Sequence, residues 1–260
     1  MSIIAKFPDR KASCALIGYK NLLVGTTGSS SATKVLTPNT YERLRLGIGS
    51  FSLRYQLSSP GTINFVGVAA HNFGTHDNGV NLMVKYANTV GGALTTIGII
   101  NFENVNDARM LNFDDIPNVA EIELSFTTLT TGLEIGVLYA GETLQMQQPM
   151  YGGLTPINLA GVTEYQSINS ETGQFLGRTI TSKGLSSSFS WRHLDDLWIR
   201  ETFKPFIESA RSLPFFIKWR PDYYDSSVFG YTTADIKPAN MGGGHRLMSV
   251  SFNMRGHQDI

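Results

Sequence analysis

From Ile63 to Thr75 the chain runs almost without a polar break through Ile63, Phe65, Val66, Val68, Ala69 and Ala70 to a His71-Asn72-Phe73-Gly74 corner. After a short polar turn it alternates from Val80 to Tyr86. The first stretch reads as a central strand of a sandwich and the second as its half-covered neighbour. This pairing points to a β-module used for binding or building.

The surrounding pattern agrees. Phe51, Leu53, Tyr55 and Leu57 alternate with Ser52, Arg54 and Gln56, and Ser58-Ser59-Pro60-Gly61 is expected to supply a turn. Ile122, Leu124 and Phe126 are expected to face inward while Glu121, Glu123 and Ser125 face outward, and Leu133, Ile135, Val137 and Tyr139 form another apolar face. Clusters at Asn104–Asp107 and Asp114–Asn118 read as connections. Strands at this spacing predict an antiparallel sandwich over about Ser50–Tyr139. Upstream, Gly25–Ser31 reads as flexible, and Tyr41, Leu44 and Leu46 are expected to seat their segment on the sandwich.

Composition supports a mainly β fold. Charged residues make up 16% of 260, with 21 basic against 21 acidic, and the polar character comes from Ser, Thr, Asn and Gln together with 26 Gly. A chain with no net field offers no evident basic surface for nucleic acid. No apolar stretch reaches membrane-span length, so membrane insertion is not expected, and Met1–Arg10 lacks the apolar core of a secretory signal. The single cysteine, Cys14, reads as a small buried apolar residue.

The pattern changes after Gln148–Gly153, which divides the chain into modules 1–150 and 151–260. In the second, Tyr165–Glu171 and Gly173–Ile180 predict two strands around a turn. Leu194–Ala210 is an amphipathic helix with Leu194, Leu197, Trp198, Phe203, Phe206, Ile207 and Ala210 inward, kinked or divided near Pro205. Phe215–Arg220 and Met248–Arg255 read as strands, so the helix has a sheet to cover.

No complete catalytic or metal constellation emerges. His71 and His76 sit on a corner without the rigid one-face spacing of a helical pair, and the corner reading has His71 or Asn72 bonding backbone groups. Asp114-Asp115 diverge, Asp195-Asp196 are explained by helix capping, and Ser186-Ser187-Ser188 lack a nucleophile elbow. Neither a cofactor nor a metal site is expected, and the protein is read as not an enzyme. The residues singled out as assembly or ligand contacts are Tyr223, Tyr224, Phe229 and Tyr231, in a Gly- and Ser-containing segment, and Gly242, Gly243 and Gly244 in a loop.

The strand corner at His71–Gly74, with Gly173-Gln174-Phe175-Leu176-Gly177-Arg178, Trp198, Phe203–Phe206 and Pro214–Trp219, resembles structural proteins at the distal end of long-tailed bacteriophage tails. Those proteins carry discoidin-like or carbohydrate-binding-module-like sandwiches. The resemblance implies a discoidin-like jelly-roll sandwich followed by a β-rich module flanked by one helix. It further implies a virion protein of the tail tip or baseplate, synthesised in the host cytoplasm. Its expected partners are copies of itself in a ring, hexameric by the family's habit, and other phage tail proteins. The alternative is a carbohydrate-binding accessory virion protein contacting a host-surface glycan.

Overall fold

A computed structural model of the chain describes residues 14–26, 30–75, 80–102, 106–129, 132–150, 152–156, 159–221, 227–242 and 246–257. The fold is mainly β, with antiparallel pairing throughout. Its strands are β1 (Leu16–Gly18), β2 (Leu23–Thr26), β3 (Leu44–Leu46), β4 (Gly49–His71), β5 (Asn81–Ala87), β6 (Thr95–Asn101), β7 (Arg109–Leu129), β8 (Leu133–Gly141) and β9 (Leu144–Gln145). They continue with β10 (Gly161–Asn169), β11 (Phe175–Asp195), β12 (Phe215–Lys218), β13 (Ser227–Thr232), β14 (Ala239–Asn240) and β15 (Leu247–Gly256). One sheet has the order β3-β8-β4-β7-β5-β6, with β2 also on β4. The other runs β10-β11-β15-β13-β12-β1-β9, with β14 on β15. Because β1 and β9 precede residue 150 yet pair within the second sheet, the sequence boundary does not coincide with sheet membership.

Two expected turns are bends inside long strands. Ser58–Gly61 does not reverse the chain, because β4 pairs with β7 on both sides of it: Gln56 opposes Glu121, and the next partners are Gly61 and Val119. Opposite lies the Asp114–Asn118 cluster, with Asn118 in the left-handed region at φ 57°. Turn-forming residues on facing strands thus make paired bulges, which bend a sheet without ending it. The bend lets Tyr55, Leu57, Ile122 and Leu124 from one half share a core with Val66, Val68 and Ile63 from the other. Of the alternating residues expected inward, Phe51, Leu53 and Tyr86 are partly buried against this cluster, and Phe65, Val68, Leu82, Val84, Ile122, Leu124, Phe126, Ile135 and Val137 are fully buried.

The far side of β7 differs from expectation. Glu121 and Glu123 point away from the apolar core as the alternation requires, but they are buried rather than solvated. Glu123 sits between its register partners Arg54 on β4 and Lys85 on β5, at 2.8 and 3.1 Å, and accepts from the Ser125 hydroxyl at 2.8 Å. Glu121 lies 3.6 Å from Arg54 and accepts from the Gly91 N–H at 3.0 Å. Burial alone would raise the Glu123 pKa. Hydrogen bonds from Ser125, Lys85, Ser52 and Arg54 outweigh it and bring the value down to about 2.

The alternation changes face beside the corner. Leu133 and Ile135 belong to the large core, whereas Val137 and Tyr139 turn toward the second sheet and join Phe65, Ala69, Met110, Leu16, Phe216 and Phe229. The switch on β4 is at Ala70, whose φ is 54°; Gly136 opposite leaves it room, since a Cβ there would come within 2.7 Å of the Ala70 methyl. Gly67 likewise admits the Phe216 ring, which a Cβ would meet at 2.9 Å. Phe216, Phe229 and Tyr139 pack edge-on or tilted at centroid distances of 4.7 to 5.7 Å. The sheets are therefore joined by an aromatic core.

In the second sheet Phe189, Trp191 and Phe252 form the covered face. The helix starts after Asp195, whose carboxylate accepts from the Trp198 N–H at 2.9 Å. It comprises α1 (Asp196–Trp198), a π-helical turn over Ile199–Phe203 and α2 (Lys204–Ala210). The wide turn, in which Lys204 N–H reaches back to the Ile199 carbonyl, places Pro205 at the start of α2, where its missing donor is tolerated. Phe203 and Phe206 are fully buried, with Phe206 4.9 Å from Phe215. Trp198, expected inside, is only partly buried, Leu197 is exposed, and the buried tryptophan is Trp191.

Candidate functional site

The His71-Asn72 corner positions a site some distance along the chain. His71 Nδ1 accepts from the Phe73 N–H at 3.3 Å, so the ring's other nitrogen, Nε2, carries the proton and donates to the Asp107 carbonyl at 3.0 Å. The ring stacks on Phe73 at 4.4 Å and meets Phe102 edge-on at 4.6 Å. Asn72 spans to the head of β8, accepting from the Glu134 N–H at 2.7 Å and donating to the Gly132 carbonyl at 3.0 Å. Both residues thus bond backbone, as the corner reading expects. The consequence lies with Glu134: its carboxylate takes Arg43 at 3.3 Å and Arg45 at 3.0 Å, bringing both guanidinium groups to one place.

Those arginines line one wall of a cleft. A cavity of about 680 Å³ is bounded by Lys34, Thr40, Tyr41, Glu42, Arg43, Arg45, Glu134 and His257. It continues, through the shared Thr40 and His257, into a second of about 360 Å³ between residues 38–40 and the rim of the second sheet, where Tyr231, Lys183 and Arg255 stand. Lysine and arginine contribute five side chains to this lining and glutamate two, with Glu164 paired to Arg255 at 2.9 Å beside it, in a chain whose net charge is zero. Tyr41 is 92% exposed on a turn in which its N–H bonds Asn39 Oδ1 at 2.9 Å, and Tyr231 is 51% exposed. Gly230 and Gly256 oppose one another below them; a Cβ on Gly230 would strike the Arg255 carbonyl at 2.2 Å. The floor is the tightly apposed backbone of β13 and β15.

Of the contact residues singled out from sequence, Phe229 and Tyr231 are the described ones that line this cleft, and Tyr231 is the exposed one. Phe229 corrects its assignment: it is buried against Phe216 and Tyr139, because its position on β13 faces the inter-sheet core. Gly242 sits at φ 80° in an exposed turn held by Asn240 Oδ1, beside β14 and outside the cleft lining. Tyr223, Tyr224, Gly243 and Gly244 lie outside the described residues, as does His76. Asp115 accepts from Asn64 at 2.9 Å on β7, remote in sequence and hydrogen bonding from the helix-capping Asp195. Tyr41 corrects a second expectation, since it does not seat its segment; Leu44 does. The missed signal was Tyr-Glu-Arg-Leu-Arg itself: alternation that buries Leu44 turns Arg43 and Arg45 the other way.

No family model matches the chain, and no curated protein matches it. Several solved structures are similar in fold to part of it. A pectin-binding carbohydrate-binding module corresponds over 46% of this chain and 91% of its own, at 13% identity and a TM-score of 0.39. The F5/8 type C domain of a Bacteroides fragilis protein corresponds over 44% and 81%, at 14% and 0.36. CBM32 of AlyQ, solved with 4,5-unsaturated mannuronic acid, corresponds over 47% and 96%, at 14% and 0.38. Likeness at this level fixes neither ligand nor activity for this chain.

Proposed function

We propose that the protein is a non-catalytic binding component that takes an acidic glycan in the cleft between Tyr41 and Tyr231. The observation that carries this reading is a local excess of cationic side chains beside two exposed tyrosine rings, on a molecule with no net charge of its own. Glu134 holds Arg43 and Arg45 side by side, and the largely exposed Arg45 guanidinium is thereby oriented for a planar carboxylate. Tyrosine rings offer apolar faces to sugar C–H groups with little entropy to lose.

Calorimetric titration with an oligogalacturonate and with its neutral methyl ester tests this. Binding of the acid alone, weakened at least tenfold by Arg43→Ala with Arg45→Ala or by Tyr41→Ala and falling with added salt, is the expected result. Equal binding of acid and ester, or affinity indifferent to these substitutions, rejects it.

A second reading, a structural component of a phage tail tip, is favoured by one observation: the β10–β11 hairpin stands out from the second sheet with apolar side chains uncovered. Electron microscopy of the purified protein discriminates it. Closed rings support a tail component, and isolated small particles count against it.

A further inference from the structure

We infer that β10 is a self-pairing edge, through which two copies of this chain join about a two-fold axis. This goes beyond the cleft reading and meets it only at Lys183 and at the Arg255–Glu164 ion pair, both at the base of the hairpin.

The β10–β11 hairpin projects because β15 ends opposite Leu185: from Gly184 to Phe175, β11 pairs with β10 alone among the described residues. Almost every side chain between Gly161 and Thr181 is exposed, including Phe175 at 66% and Leu176 at 63%. Tyr165 and its register partner Ile180 lie on one face, and Val162 and Ile168 on the other, so neither face is simply a solvated one. Two strands alone have no core, and such a hairpin is marginal in water. The arm is nonetheless well built. Gly173 at φ 81° closes its turn, Ser170 exchanges backbone bonds with Gly173 and Gln174, and the Arg178 guanidinium lies 3.3 Å over the Tyr165 ring. An ordered, apolar arm of this kind is a surface that a partner completes.

The edge identifies the partner. Among the described residues β10 closes the sheet order and pairs with no second strand. It runs nine residues with no proline and no lysine, the usual guards of an exposed edge. Its one charge is Glu164, which takes the Arg255 guanidinium of β15 at 2.9 Å. Placed antiparallel to an identical strand with Tyr165 on the two-fold axis, β10 sets Val162 against Ile168, Thr163 against Ser167 and Glu164 against Gln166. Apolar meets apolar, hydroxyl meets hydroxyl, and no like charges face. Sliding by one step of two residues puts either Glu164 against its own copy or Glu164 against Ile168, so this register is the one the sequence selects. Across the hairpin Glu164 and Glu171 balance Arg178 and Lys183, leaving no field that would prefer a charged partner over another copy. Such isologous pairing is the commonest way for identical chains to associate.

Sedimentation at micromolar concentration tests this, and the expected species has twice the 28.6 kDa of the chain. Gln166→Glu sets Glu against Glu164 at both symmetric positions and should raise the dimer dissociation constant at least tenfold, while Gln166→Lys, which pairs with Glu164, should keep or tighten it. In a Cys14→Ser background, Tyr165→Cys should give a covalent dimer on mild oxidation. Circular dichroism unchanged in each variant separates lost pairing from lost fold. A wild-type monomer, a dimer equally stable in Gln166→Glu and Gln166→Lys, or an assembly that Tyr165→Cys does not cross-link overturns the proposal.

Discussion

The β4–β7 and β10–β11 pairs are both antiparallel, both long and both alternating, yet one is the most covered part of the molecule and the other the least. Around Phe65–His71, β4 is buried on both faces, by its own bent sheet on one side and by Phe216 and Phe229 on the other. Further along the same pair the outer face is held by charges instead: Arg54 and Lys85 neutralise Glu121 and Glu123. The hairpin has neither solution. Among the described residues its apolar side chains meet no second layer, and its charges are too few to make a solvated face. Alternation therefore assigns residues to faces, whereas the layer that covers each face comes from elsewhere in the chain.

The largest expected effect breaks the covered region. Phe65→Ala should cost about 3–5 kcal/mol in urea unfolding, because the ring is fully buried between the sheets. Phe206→Ala under the helix should cost about as much, and Trp198→Ala clearly less, since only part of that ring is covered. Equal costs for Phe206 and Trp198 would show that the helix packs more deeply along its first turn.

A subtler wedge is Gly67→Ala. Its methyl would meet the Phe216 ring at 2.9 Å, and overpacking of this kind typically costs about 1–3 kcal/mol. Unfolding scans should show a lowered midpoint that Phe216→Leu partly restores.

The charged face should report through pH. Glu123 has a folded pKa of about 2, below its ordinary 4.5, so its contribution to stability is complete above the unfolded value and is lost as pH falls from about 4.5 through about 2. The difference in melting temperature between the native chain and Glu123→Gln should shrink across that window. A difference independent of pH there would mean that packing, not charge, is what Glu123 supplies.

The smallest effect belongs to the arm. Ile180→Ser in the isolated chain should move stability by no more than about 0.5 kcal/mol, as at an ordinary surface position. A large loss measured on the monomer would remove the contrast between the two regions.

By itself the sequence determined what depends on near neighbours. The period of two placed Phe51–Leu57 and Ile122–Phe126 on their faces, the Asp195 cap and the three- and four-residue steps set the helix, and the turn at Ser170–Gly173 made a hairpin. These are settled by the geometry of adjacent residues. Tertiary structure decided whatever depends on a distant partner. Ser58–Gly61 and Asp114–Asn118 carry turn chemistry, but facing each other on paired strands they become a bend. Leu16–Gly18 joins the second sheet only because Phe215–Lys218 offers an edge, and Leu144–Gln145 follows by pairing with Leu16 and Ile17. Glu121 and Glu123 are buried only because Arg54 and Lys85 arrive from flanking strands. The cleft belongs to the same class: alternation sets Arg43 and Arg45 on one face, but Glu134, Tyr231 and His257 lie far from them in the chain, and no local spacing carries the information that these segments meet. A face is a property of consecutive residues; a site or a buried charge is a property of pairs that only long-range strand register brings together.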